Sequence, residues 1–324
     1  MEYIRFFAVA ALSAVFAGGA TAATSEYPNK PIRYIVATGP GGASDIIART
    51  IGPPLSEQLG VQLVIDNRSG AGNMVGAELA ARATPDGYTL LSCNIASLAI
   101  GPALYKRPGY DAERDFAVLG LIVSNPNVFT VNPSVAAKTI SEFIALAKTQ
   151  PGKLNYASAG IGTSPQLSME LFRMEAGISI VHVPYKGVGP GLLDVMAGRV
   201  QAMTSTVPAA LSSVRNGKIR ALGVTSKERD QDLPDVPTLA ESGMPNFEVV
   251  SWQALCTNTG APAAALSRLR NALTTTLAQP DTRKRLVDQG FQLYIMSADK
   301  AVAFAHAERV RWAKVVKELG IEPQ

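Results

Sequence analysis

Histidine and cysteine are scarce in this chain of 324 residues, two of each, and aromatic residues make up only 6%. Each shortage closes a class of function. His182 and His306 show no ligand spacing to each other or to Cys93 and Cys256, so no metal site is predicted. Two cysteines far apart in sequence make no disulfide framework, and a bond and a pair of buried free thiols both remain open. Nucleic-acid binding calls for a basic stripe interleaved with aromatics. Here the net charge is +4 and the longest basic run is Arg283-Lys284-Arg285, a pattern of solvated helix faces. The nucleophile elbow G-x-S-x-G is absent. His182 lies in the apolar run SIVHVPY, where a satisfied core histidine is the commoner outcome, and His306 sits near Arg309 on the last helix. A triad built on either is a poor fit, and the few aromatics argue against a sugar-stacking groove. No cofactor is expected.

What is present begins with an N-terminus that carries Arg5, an apolar run over residues 6–17, and small residues ending in Ala20-Thr21-Ala22. This is the layout of a signal peptide cleaved after Ala22. The run is shorter than the ~20 residues a spanning helix needs, and no cysteine follows it to carry a lipid. Residues 1–22 are therefore predicted to be removed, leaving a soluble, exported chain.

From Pro31 onward, short β-branched runs alternate with helical patterns. Ile32 to Val36 reads as a strand, Ile47, Ile51, Leu55 and Leu59 as one helix face, and Val61 to Ile65 as the next strand of a βαβ unit. The turn NRSGAGNMVG leads into a helix with Val75, Leu79 and Ala83 on one face, followed by the strand in DGYTLLSCN. The grammar repeats in the middle of the chain. KLNYAS, ISIVHVPY, RVQAMTST and KIRALGVT read as strands, with a helix marked by Leu167, Leu171 and Met174 and opened by Ser164 as cap and Pro165 in its first turn. The final helix places Val302, Ala305, Trp312, Val316 and Leu319 on one face. This alternation predicts an α/β fold of two units, each a mostly parallel sheet covered by helices. The extended stretches GLIVSNPNVFTVNP and FEVVSWQALCTNTGAP are predicted to cross between the units, which makes the first one discontinuous. The expected division is 23–124 with 250–324, and 125–249.

Two glycine turns stand out. TGPGGASDIIAR, residues 38–49, puts Ser44 where a dinucleotide fingerprint needs its third glycine and lacks the lysine of a P-loop. It still precedes a helix start, where free amides and the positive end of the helix dipole attract anions. Asp45 has two compatible roles there, a first-turn carboxylate that steadies the helix or a holder of water beside the amides. SAGIGTS, residues 158–164, repeats the design with hydroxyls at Ser158, Thr163 and Ser164. One such turn in each unit, facing across a cleft, suits a ligand with a carboxylate at each end.

The motifs G-G-x-x-D, P-D-G-Y-T-L, V-P-Y-K-G and L-P-D-V-P-T occur in that order, and the likeness runs from about Tyr27 to the end. In this the chain resembles the extracytoplasmic receptors of tripartite tricarboxylate transporters, the Bug or TctC family. The resemblance implies a two-domain periplasmic binding protein of the flytrap kind (type II-like), its domains joined by two hinge strands. Such a protein acts as a monomer, closes on a small organic acid without covalent chemistry, and passes the acid to membrane permease subunits. Position by position it assigns ligand contacts to Thr38, Pro40, Gly41, Gly42, Ser44 and Asp45, with Asn94 and Ser97 after the third strand. Ser158, Ala159, Gly160, Gly162 and Thr163 would face them, with Tyr185 and Ser205 nearby. Three features depart from the family: Gln166 replaces a common histidine, Ser205 a frequent aspartate, and Thr-Gly-Pro an aromatic-Pro-Ala sequence. Without an acid at 205, a plain mono- or dicarboxylate, aliphatic or aromatic, fits better than an amino acid. A receptor feeding a sensor kinase and an exported hydrolase using His182 or His306 are the alternatives.

Overall fold

The computed structural model describes residues 27–318 and residue 320, so the expected signal peptide and Leu319 lie outside the described residues. The chain runs β1 (Ile32–Val36), α1 (Ala43–Leu59), β2 (Leu63–Asn67), α2 (Met74–Ala81), β3 (Thr89–Asn94), α3 (Gly101–Leu104), then the long β4 (Phe116–Val131). It continues through α4 (Ile140–Thr149), β5 (Asn155–Ser158), α5 (Ser164–Ala176), β6 (Val181–Pro184), α6 (Val188–Met196), β7 (Ala202–Thr206), α7 (Val207–Arg215) and β8 (Arg220–Val224). The last elements are β9 (Val250–Asn258), α8 (Ala263–Ala278), α9 (Pro280–Asp288), β10 (Leu293–Ser297) and α10 (Ala298–Glu318).

The strands join in the order β2-β1-β3-β9-β4-β7-β5-β6, with β8 and β10 also pairing β4. The parallel ladders are β2-β1-β3 and β6-β5-β7, the two sets built by strand–helix–strand units, with one isolated parallel bridge from Val224 of β8 to Thr238. β4 and β9 run antiparallel to their neighbours and convert the whole into a mixed sheet. β4 changes partners at one point: Phe116 to Pro126 pair with β9, whereas Asn127 to Val131 pair with β7. Pro126, which has no N–H for a ladder, stands at the change.

Both faces of β1 are covered, so its sequence is almost continuously apolar. Ile32, Tyr34 and Val36 share one core with Ile47, Ile51, Leu55 and Leu59 of α1, each at most 3% exposed. Burial of such side chains contributes about 1.5–3 kcal/mol apiece. Ile35 faces the other core with Met74, Ala77 and Ala80 of α2. The expected face of α2 is thereby corrected: Val75 and Leu79 point outward, each 39% exposed. Gly76 explains the choice, because a Cβ there would lie 2.7 Å from the Ala37 Cβ, so the smallest residues take the side that meets the sheet.

In α5 Leu167, Met169 and Phe172 join the core, while Met174 is exposed; Thr163, not Ser164, is the cap, accepting from the backbone N–H of Gln166. In α10 the buried stripe is Ala301, Ala305, Glu308, Trp312 and Val316, and Val302 lies outside it. Glu308 is tolerated there because its Oε2 accepts from the indoles of Trp252 at 3.1 Å and Trp312 at 3.3 Å, which docks α10 on β9. Cys93 of β3 and Cys256 of β9 are joined in a disulfide and fully buried.

Candidate functional site

The parallel strands β1, β3, β5, β6 and β7 all send their C-terminal ends toward one cavity of about 400 Å³. In open α/β sheets this is where ligands bind, because the turns leaving those ends open helices whose first amides lack partners. The caps of α1 (Gly42), α6 (Gly187) and α7 (Thr206) give no side-chain hydrogen bond to their helices. The turns from the two sets of strands touch across the cavity mouth. A Cβ on Gly39 would lie 3.3 Å from the Lys186 carbonyl, and one on Gly72 only 2.0 Å from the Ile161 carbonyl. Glycine at 72, with φ +60°, permits a backbone-to-backbone approach that no side chain fits.

Of the residues expected at the ligand, the structure brings Thr38, Gly42, Ser44 and Asn94 to the cavity wall from one side, and Ala159, Gly160, Thr163 and Tyr185 from the other. The rest stand back from it. Pro40 and Gly41 form the exposed tip of their turn. Asp45 is turned away and takes hydrogen bonds from Gly41 N at 3.0 Å, Asn67 Nδ2 at 2.9 Å and Arg49 Nε at 3.0 Å. Burial raises its carboxyl, but the bonds from Arg49, Gly41 and Asn67 overcome this and hold it below the usual carboxylate range. Ser97 serves Asn94, accepting from its amide at 3.0 Å and donating its own amide to Oδ1 at 3.1 Å. Gly162 packs against Leu104 and Tyr105. Ser205 is displaced by strand alternation: Thr204, bonded to the Pro165 carbonyl at 2.6 Å, and Thr206 share the face toward α5 and the cavity, so Ser205 points the other way.

Ser158 lies 2.7 Å from His182 Nε2, with Tyr156 stacked on the imidazole at 4.7 Å. Burial lowers the His182 pKa against the opposing pull of Glu170. His182 is half-buried, and neither member of the pair lines the cavity. His306 is exposed, 3.3 Å from Glu113. Among the described residues no group of three or more histidine, cysteine or acidic side chains is placed to hold a metal.

Several lining residues were not expected. Ser69 to Asn73, the turn after β2, has the same strand–glycine–helix design as the two turns singled out. Tyr105, Lys186 and Thr206 also line the wall, and Ser251 and Gln253 reach it from the crossing strand β9. Their signal is period-2 polarity inside an apolar strand, V-S-W-Q-A. Lys186 is the sole charged residue among those lining the cavity, and no aspartate or glutamate is among them. A wall of hydroxyls, amides and helix starts without acids is built for an anion.

The model of the tripartite tricarboxylate transporter family receptor, TctC, matches residues 47–321. The chain belongs to this family. This TctC receptor is 34% identical over 322 residues to Protein BugT of Bordetella pertussis, with 99% of each chain covered. Its fold matches that of the R. palustris protein Rpa4515 with adipate at a TM-score of 0.88, with 32% identity and coverage of 92% of this chain and 100% of that one. It also matches MatC (Rpa3494) from Rhodopseudomonas palustris with bound malate at 0.86, with 30% identity and coverage of 90% and 100%. TctC receptors are periplasmic solute-binding proteins. In this one, Gln166 stands in the first turn of α5, its Oε1 accepting from Gly162 N at 3.3 Å, and so steadies the second glycine turn.

Proposed function

We propose that this receptor captures a small organic carboxylate, mono- or dicarboxylate, aliphatic or aromatic, in the cavity between two domains. The domains are 23–124 with 250–324, and 125–249, hinged on β4 and β9. The observation that carries the reading is an acid-free cavity of about 400 Å³ walled by helix starts whose caps leave their amides open. The adipate and malate held by similar proteins support it. Thr38, Gly42, Ser44 and Asn94 meet the acid from one side, and Ala159, Gly160, Thr163 and Tyr185 from the other. The receptor acts as a monomer, does no covalent chemistry and hands the acid to membrane permease subunits. The pairing of Ser158 with His182 away from the cavity wall favours a structural role for both over hydrolysis.

The test is a thermal-shift screen of mono-, di- and tricarboxylates, aromatic acids and amino acids on protein freed of copurified ligand. An acid at ~100 times its dissociation constant adds ~2.7 kcal/mol of stability and raises the melting temperature. We expect Gly42→Val and Thr163→Val to weaken that acid's binding with the fold intact. Absence of a shift from every acid rejects the reading.

A further inference from the structure

One hydrogen-bond chain at the cavity wall has a direction that the backbone fixes. Ser97 N can only donate, and it donates to Asn94 Oδ1 at 3.1 Å; Asn73 Nδ2 donates to the same oxygen at 3.3 Å. The other amide atom of Asn94 is therefore its nitrogen, which donates to Ser44 Oγ at 3.3 Å. Ser44 is fully buried, and its single proton goes to the acceptor it reaches, Gln253 Oε1 at 2.8 Å. Gln253 sits opposite Asn94 in the β3–β9 ladder, is 5% exposed and lines the cavity. With its oxygen committed to Ser44, its amide nitrogen makes no hydrogen bond among the described residues. That N–H is a donor on the cavity side of a residue that lines the wall, so an acceptor oxygen on a ligand completes it.

We propose that Gln253 is a specificity-determining residue of this cavity. Its amide N–H, turned outward by the Asn94–Ser44 chain, donates to a carboxylate or other acceptor oxygen of the ligand. The same orientation withholds the one acceptor that Gln253 owns, and no acidic side chain stands in the wall to replace it. A protonated amine at this end meets a donor and stays unpaired, so the receptor takes organic acids without an amino group and rejects their α-amino counterparts. A site that leaves a buried polar group unpaired discriminates strongly. The proposal rests on the carboxylate reading above and adds the residue that sets which carboxylates enter.

Titration calorimetry on the mature protein, freed of copurified ligand by unfolding and refolding, tests it with succinate, glutarate and adipate against aspartate, glutamate and 2-aminoadipate. Wild type is expected to prefer the plain acid of a pair at least about tenfold. Gln253→Glu, which replaces the donor by a charged acceptor, is expected to weaken the plain acid about 10- to 100-fold while sparing its amino counterpart. Ser44→Ala removes the group that orients the amide and is expected to narrow the preference; being smaller and neutral, it carries the test if Gln253→Glu does not fold. A wild-type preference for the amino acid, or a preference unmoved in both variants, overturns this proposal and leaves the carboxylate reading standing. Should none of the six bind, the pair is made from the acid that the thermal-shift screen finds and its α-amino counterpart, and silence across that whole screen overturns both.

Discussion

Asp45 closes a small circuit at the start of α1, taking hydrogen bonds from Gly41, Asn67 and Arg49 while only 3% exposed. We expect Asp45→Asn to cost about 1–3 kcal/mol at neutral pH, measured by urea unfolding. Its folded pKa is lowered, so the contribution is complete above the unfolded value of about 3.9 and is lost as pH falls through the folded one. Wild type and variant should therefore converge in strongly acidic urea titrations; a constant gap at all pH values would reject the electrostatic origin. His182 works with the same sign for a different reason. Burial depresses its pKa, so the neutral ring contributes stability above about pH 6.5 that is lost as pH falls toward the folded value. The groups around it are Ser158, stacked Tyr156, and Glu170, which is held by Arg173 at 2.8 Å. We expect His182→Gln to flatten the fall in melting temperature between pH 7 and 5. At this scale sequence reading places Ser205 one position from the cavity residue Thr206, because strand phase is set by what packs on each face.

Among the elements, β3 and β9 are held both by their ladder and by the Cys93–Cys256 bond, which closes a loop with a sequence separation of 163. We expect the double variant Cys93→Ala, Cys256→Ala to lose about 2–4 kcal/mol in guanidinium unfolding, mainly through a freer unfolded chain. A loss under about 0.5 kcal/mol would show that the ladder alone suffices. The β-strand and glycine-turn order was legible from the residues, since a strand, a left-handed glycine and a hydroxyl before a helix leave few other conformations. Helix faces were less so. Val75 and Leu79 obey helical spacing as well as Met74, Ala77 and Ala80 do, and the decision comes from Gly76 meeting the sheet, a tertiary fact. The cavity residues on β9 were hidden for a related reason. Ser251 and Gln253 sit in a strand buried on both faces, where a polar side chain reveals its purpose only through its partners.

At the scale of the whole molecule, the turn after β2 meets the turn after β5 backbone to backbone, where a Cβ on Gly72 would lie 2.0 Å from the Ile161 carbonyl. We expect Gly72→Ala to retain the fold, at a cost of about 1 kcal/mol for its positive φ, yet to hold the jaws apart. Carboxylate affinity should fall tenfold or more, and small-angle scattering should show no compaction on adding the acid. Unchanged affinity would show that this contact is dispensable for capture. β4 has a mechanical consequence of its own. It is a single unbroken strand whose first part is laddered to β9 and whose last part is laddered to β7 and β8, so both halves of the receptor are built on one ribbon. A ribbon of paired strands resists stretching and shear but yields to bending out of its plane, as a leaf spring does. If the two proposed domains hinge on this ribbon, their motion has one coordinate, and two fluorophores on exposed Leu79 and Leu193 are expected to read occupancy as one distance, turning the receptor into a gauge for its own acid.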